Sequence, residues 1–402
     1  MWCLTLFTLG VVAAGLAESD DDFRFPDHEF DRTPLGDAID KFSIKMLNEA
    51  YKESEEKNVI ASPLGVMTLL SLYATGAPGP VRDEIVSSFG ASDYSELFAS
   101  YSNLSQTFAN IGPSYLMLAN KIYVSDTYRV QDGFERKAVQ SYRSEVEKIS
   151  FDDKKTAADA INQWAEERSR GFMKNAVSED AIDSSIAAAL FNVIFFQGQW
   201  GVKFDAEHTK DEDFYLSKDK TVKKPMMHIL STMFYQESEK LDAKLIELPY
   251  IQQGFRMVVV LPNEVDGLPE VLKKVEQHGL LSDVFQLSPA WVKIDLKVPK
   301  FTIDSTFDLN SLLPKLGITK IFTDGASGIV ENNSVLVSKA FQKAFVKVDE
   351  EGSTAGAFTG LLAVPTSSLY VPPPPMKYYA DHPFLYAILH EDKILFIGTY
   401  TH

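Results

Sequence analysis

The sequence predicts an α+β fold built as one domain, on three observations. Helix-forming and strand-forming segments are interleaved from about residue 34 to the end, and strands become denser after residue 187. No Ser/Gly-rich linker divides the chain and no fixed-period repeat runs through it, although 402 residues could fill two or three ordinary domains. Apolar residues make up 45%, enough for a large buried core.

The apolar run from Met1 to Ala17 carries no charged side chain and is too short to span a bilayer comfortably. Its small residues Gly15 and Ala17 suit a cleavage site, so residues 1–17 read as a signal peptide and the protein as secreted and extracellular. The only cysteine, Cys3, lies inside that segment, so the mature chain has no thiol and packing alone must stabilise it. Residues 18–33 hold seven acids, Arg24 and Arg32, and read as a flexible acidic leader. A folded domain over 34–402 follows.

Pro34 is placed to open a helix, and Ile39, Phe42, Met46 and Ala50 share one face of it. Further helices are predicted over 64–73, 93–109, 133–143 and 156–170. Strand-rich runs cover 121–124, 187–196, 256–261, 292–303 and 339–348.

A net charge of −17 argues against a nucleic-acid partner or an anionic membrane surface, because phosphate would be repelled. No nucleophile elbow, zinc-protease, Walker or dinucleotide motif is present, and the seven histidines are scattered. The chain is therefore read as no enzyme, with no cofactor and no metal. His390-Glu391-Asp392 reads as a turn between strands rather than a ligand cluster. Asn103-Leu104-Ser105 and Asn332-Asn333-Ser334 are glycosylation sequons, giving Asn103 and Asn332 as acceptors.

The unusual segment is a loop of about residues 350–379, long for a compact domain and therefore functional or disordered. It opens with small residues and ends in four prolines, Pro372 to Pro375. In an extended conformation Ser353, Ala355, Ala357 and Thr359 would share one face, small enough to slide under packed helices.

Here the chain resembles the serpin family, over about residues 36–401. Asn58-Val59-Ile60-Ala61-Ser62-Pro63, Asn192-Val193-Ile194-Phe195-Phe196 with Trp200, Glu247-Leu248-Pro249-Tyr250, Pro299-Lys300-Phe301 and Asp381-His382-Pro383-Phe384 follow in the family's order. The resemblance implies the serpin fold: a large mixed central β-sheet, further sheets, about nine helices and an exposed reactive-centre loop. It also implies a protease inhibitor whose loop is cut by a target protease in a suicide reaction. The cut loop then inserts into the central sheet and traps the enzyme covalently.

By the same resemblance Glu350, Gly352, Ser353, Thr354, Ala355, Gly356 and Ala357 form the hinge, whose small uncharged residues suit burial. Ser62, Asn192 and Gln342 belong to the region where the sheet opens; Gly65 stands where many members have Ser, and Gln342 where many have His. Counting from Gly352 puts the reactive bond at Thr366-Ser367, with Leu369 and Tyr370 as alternative cleavage positions. Thr366 lacks the cation that a trypsin-like pocket needs. An elastase- or chymotrypsin-like serine protease, or a papain-like cysteine protease, is the expected target. The segment 83–120 has no Lys or Arg, so heparin activation is not expected. A monomer is expected. The alternative is a non-inhibitory serpin serving as carrier, chaperone or storage protein.

Overall fold

The computed structural model describes residues 31–111, 116–352 and 373–402. The expected signal peptide, the leader up to residue 30 and loop residues 353–372 lie outside the described residues.

Nine helices are described: α1 (Pro34–Glu53), α2 (Pro63–Ala74), α3 (Gly79–Ser88), α4 (Tyr94–Ile111), α5 (Asp132–Tyr142), α6 (Lys154–Arg168), α7 (Leu268–His278), α8 (Leu281–Val284) and α9 (Leu309–Lys315). The first eight strands are β1 (Val59–Ala61), β2 (Leu116–Ser125), β3 (Glu145–Ile149), β4 (Ala188–Phe196), β5 (Lys210–Ser217), β6 (Lys220–Ser231), β7 (Phe234–Ser238) and β8 (Ala243–Pro249). The remaining eight are β9 (Phe255–Pro262), β10 (Ser288–Pro289), β11 (Ile294–Pro299), β12 (Phe301–Asp308), β13 (Val337–Val348), β14 (Met376–Tyr379), β15 (Phe384–His390) and β16 (Lys393–Tyr400).

Local chemistry starts the helices where the sequence places them. Thr33 caps α1 by accepting from the Gly36 N–H, and Pro34 fills a first-turn position whose N–H would have no partner. Ile39, Phe42, Met46 and Ala50 are all buried, as their spacing requires. Ser62 caps α2, whose twelve residues are buried all round, which makes it a core helix. Asp392 lies in the β15–β16 turn, and its carboxylate accepts from the Thr33 backbone N–H and hydroxyl at 2.7 and 2.6 Å. The His390–Asp392 segment is thus a turn that ties down the start of α1.

Among the described residues three sheets result. The largest has seven strands, β1-β16-β15-β9-β8-β7-β10, all antiparallel. A four-stranded sheet runs β14-β11-β6-β5. The mixed sheet expected from the resemblance has five strands, β12-β13-β4-β2-β3. In it β13 pairs parallel with β4 and β2 parallel with β3, while β12–β13 and β2–β4 are antiparallel.

Every residue of β4 is buried, and its alternation divides the interior in two. Leu190, Ile194 and Phe196 join the main core with α1, α2 and the seven-stranded sheet. Ala189, Phe191, Val193 and Phe195 face a second core roofed by Ala157, Ile161 and Trp164 of α6.

One strand-rich run is corrected. Residues 292–303 form not one strand but two, β11 and β12, in different sheets. Pro299 has no N–H to continue a ladder, and Lys300 turns aside to donate to the Pro225 carbonyl at 2.9 Å.

Candidate functional site

The segment the sequence singles out leaves the fold at the end of β13. Its root is defined by a tight turn. Asp349 N–H donates to the Gly352 carbonyl at 3.1 Å, and Gly352 N–H returns to the Asp349 carbonyl at 3.2 Å, with Glu350 and Glu351 between them. Gly352 also bridges Gln199 in antiparallel sense, so the chain has already reversed at this residue. Gly352 has φ +118°, and a Cβ there would lie 2.2 Å from the Gly198 carbonyl oxygen. Only glycine fits this position.

Aromatic and charged side chains clamp the turn. Trp200, 1% exposed, stacks on Tyr250 with centroids 4.5 Å apart, and Tyr250 meets Phe196 edge-on at 4.8 Å. The Trp200 indole N–H donates to the Asp349 carbonyl at 2.8 Å, and its backbone N–H to the Glu351 carbonyl at 3.1 Å. Phe204 N–H reaches the Glu350 carbonyl at 3.2 Å. The Glu350 carboxylate pairs with Lys300 Nζ at 2.7 Å and accepts from the Thr209 hydroxyl at 2.8 Å. Burial pushes the Glu350 carboxyl up, but hydrogen bonds from Lys300, its own backbone and Thr209, with the Lys300 charge, hold it below the ordinary carboxylate value.

Midway down the β4–β13 seam lies a neutral polar layer. Gln342 stands opposite Asn192 in the parallel pair, and Asn120 of β2 stands opposite Asn192 on the other side. Gln342 donates to the Asn192 amide oxygen and to the Ser62 carbonyl, both at 2.7 Å, and accepts from Ser62 N–H at 2.9 Å. Asn192 donates onward to Asn120 at 2.8 Å. All four residues are buried, so these bonds stitch β2, β4, β13 and the start of α2 together inside the protein.

The two departures noted at Gly65 and Gln342 have a joint explanation. A Cβ on Gly65 would lie 2.4 Å from the Asn192 amide oxygen. The glycine leaves the space in which Asn192 meets Gln342.

Of the site residues expected from the sequence, Ser62, Asn192 and Gln342 come together in that layer, and Glu350 and Gly352 form the turn. Ser353, Thr354, Ala355, Gly356, Ala357, Thr366, Ser367, Leu369 and Tyr370 lie outside the described residues. Asn103 on α4 and Asn332 in a turn at φ +55° are both exposed. Asn120, Trp200, Tyr250, Thr209 and Lys300 were not assigned roles by the sequence. Trp200, Tyr250 and Lys300 sit within quoted family motifs, and Asn120 with Lys121 interrupts the otherwise apolar run from Leu116 to Val124, which were the available signals.

Among the described residues no group of three His, Cys, Asp or Glu side chains could hold a metal ion, and no helix is long and apolar enough to cross a membrane.

Comparison with known proteins gives a consistent picture. Residues 37–402 match the family described as Serpin (serine protease inhibitor). Antitrypsin of Bombyx mori is 33% identical over 368 residues, covering 91% of this chain and 93% of that protein. Antichymotrypsin-2 of Bombyx mori is also 33% identical, covering 91% and 97%. The crystal structure of Serpin48, described as a highly specific serpin in the insect Tenebrio molitor, superposes with a TM-score of 0.81 at 30% identity, covering 92% of this chain and 98% of that one.

Proposed function

The chain belongs to the serpin family, and we propose that it is a secreted inhibitor that traps its target protease by loop cleavage and insertion. The protease nucleophile attacks the Thr366 carbonyl, an acyl-enzyme forms, and the peptide bond to Ser367 breaks with Ser367 leaving as the amine. The freed segment from Gly352 onward then enters the five-stranded sheet between β4 and β13. Ser353, Thr354, Ala355, Gly356 and Ala357 lead the way, because a charge or a proline there would oppose burial in the sheet.

The observation that carries this reading is the turn at Glu350-Glu351. It brings Gly352 to the seam between two parallel strands, running antiparallel to its partners Asp349 and Gln199. A strand continuing in that direction would be antiparallel to both β4 and β13 and would complete ladders on both sides. Adding ~10 ladder bonds at about 0.5–1.5 kcal/mol each contributes roughly 5–15 kcal/mol. That equals the whole stability of an ordinary domain, so the uncleaved form persists because of its barrier.

The absence of a cation at Thr366 disfavours trypsin-like targets and favours elastase- or chymotrypsin-like enzymes or a papain-like cysteine protease. Cleavage at Leu369 or Tyr370 is the chymotrypsin-like variant of the same reading. Residues 1–17 direct secretion, and Asn103 and Asn332 take glycans on exposed surface.

The test mixes the mature protein with elastase-, chymotrypsin-, trypsin- and papain-like enzymes. A covalent band surviving a denaturing gel is expected, together with a released fragment beginning at Ser367. Degradation of the loop by every enzyme without such a band contradicts the reading and favours the non-inhibitory role. Ala355→Arg should turn inhibitor into substrate, with cleavage retained and the covalent band lost.

A further inference from the structure

Trp291 is 82% exposed, the most exposed of the large apolar side chains among the described residues. It does not stand alone. Leu230, 50% exposed, lines the same open groove of about 380 Å³ with Ala290, Val292, Pro373 and Pro375. Among the described residues Lys293 is the one charged residue on that lining.

The groove is held by the fold on both sides. Ala290 N–H donates to the Met233 carbonyl at 2.8 Å, and Met376 N–H donates to the Lys293 carbonyl at 2.9 Å. Pairing of β11 with both β6 and β14 fixes Trp291, Leu230 and the prolines as neighbours. An aromatic side chain left in water beside further apolar surface, on a framework already ordered, is the usual composition of an interaction surface.

Chain length identifies the occupant. Pro373 lies six positions after Ser367, so the proposed reactive bond lies at most about 20 Å from the prolines that line the groove. A globular protease domain of some 220 residues has a radius of gyration of about 17 Å. An enzyme engaging Thr366 therefore cannot sit far from Trp291.

We propose that the groove formed by Trp291, Leu230, Pro373 and Pro375 is a second docking surface for the target protease, separate from the loop. It receives an apolar patch with a neighbouring carboxylate, which pairs with Lys293, on the rim of the enzyme's active-site cleft. This rests on the inhibitor reading and adds partner selection to it: the loop determines what can be cut, and the groove determines which enzyme arrives quickly.

The experiment measures the association rate for covalent complex formation by wild type, Trp291→Ala and Leu230→Ser with the same enzyme panel. Both side chains are largely in solvent, so folding should be preserved. For the favoured enzyme Trp291→Ala should slow association at least tenfold and leave the stoichiometry unchanged, whereas enzymes inhibited only slowly should be little affected. Mixing wild type with the active-site-inactivated enzyme should shift tryptophan emission to the blue, and Trp291→Ala should abolish that shift. Rates within twofold of wild type for every enzyme would overturn the docking surface while leaving the inhibitor reading in place. Absence of a covalent complex with all enzymes would remove the inhibitor reading, and this proposal with it. Self-association of wild type that Trp291→Ala disperses would make a second copy the occupant and equally overturn the proposal.

Discussion

The seam between β4 and β13 is closed in two places by different chemistry. Midway along, Ser62, Asn120, Asn192 and Gln342 form a neutral, fully buried layer of side-chain and backbone hydrogen bonds. At the end from which the loop departs, closure depends on an aromatic stack and a partly exposed ion pair, Trp200 on Tyr250 and Lys300 with Glu350. Neutral amides resist pH and salt and strongly penalise a missing partner. An ion pair near solvent contributes little and is adjustable. The middle thus holds the two strands together by pairing that pH and salt leave unchanged. At the end, the Trp200 stack holds the turn and the Lys300–Glu350 pair adds a contribution that pH and salt can weaken.

The largest effect should come from Trp200→Ala, which removes the stack and the donor to Asp349. Losing a buried tryptophan costs about 3–5 kcal/mol, read as a lower denaturation midpoint of the uncleaved protein. If that midpoint barely moves, the aromatic clamp is not what holds the turn. Next is Asn192→Ala, which strips a partner from both Gln342 and Asn120; two buried groups without partners should cost about 2–4 kcal/mol. Because the layer holds only neutral side chains, this loss should stay constant between pH 4 and pH 8.

Gly65→Ser tests the space between α2 and the layer. Because a Cβ would meet the Asn192 oxygen at 2.4 Å, the substitution should destabilise by about 1–3 kcal/mol by denaturant titration. Adding Asn192→Ala in the same chain should recover part of the loss. A stabilising Gly65→Ser would show that Asn192 has room to move.

The smallest effect belongs to Glu350→Gln, about 0.5–1 kcal/mol at pH 7. The folded carboxyl lies below its ordinary value of 4.5, so its contribution is present above that pH and is lost as pH falls through the folded value. Wild type and variant should therefore differ at neutral pH and converge in acid. A difference unchanged at pH 3 would rule out the Lys300 pair as its source.

Legibility in the sequence followed the range of the interactions. The helix starting at Pro34 was plain because its cap and apolar face lie within twenty residues. The helix α3 was missed because only Val81 and Ile85 are buried, too few to mark a period. The helix α7 was also not predicted, although Leu268, Val271, Leu272 and Val275 have helical spacing. The break between β11 and β12 was hidden because both halves are strand-like, and only their destinations in separate sheets distinguish them. Ser62, Asn192 and Gln342 were found through family resemblance rather than local pattern, and Asn120, which completes their layer, was not found.

The sequence alone determined what each segment can become: an amphipathic helix after Pro34, a β4 buried on both faces, and small residues after Gly352 that can tolerate burial. Tertiary structure alone decided that Gln342 meets Asn192 across 150 residues, and that Gly352 reverses direction beside Gln199. The reason is that backbone donors and acceptors are alike at every position. Strand pairing is selected by long-range packing of side chains, and no local stretch of sequence carries that information.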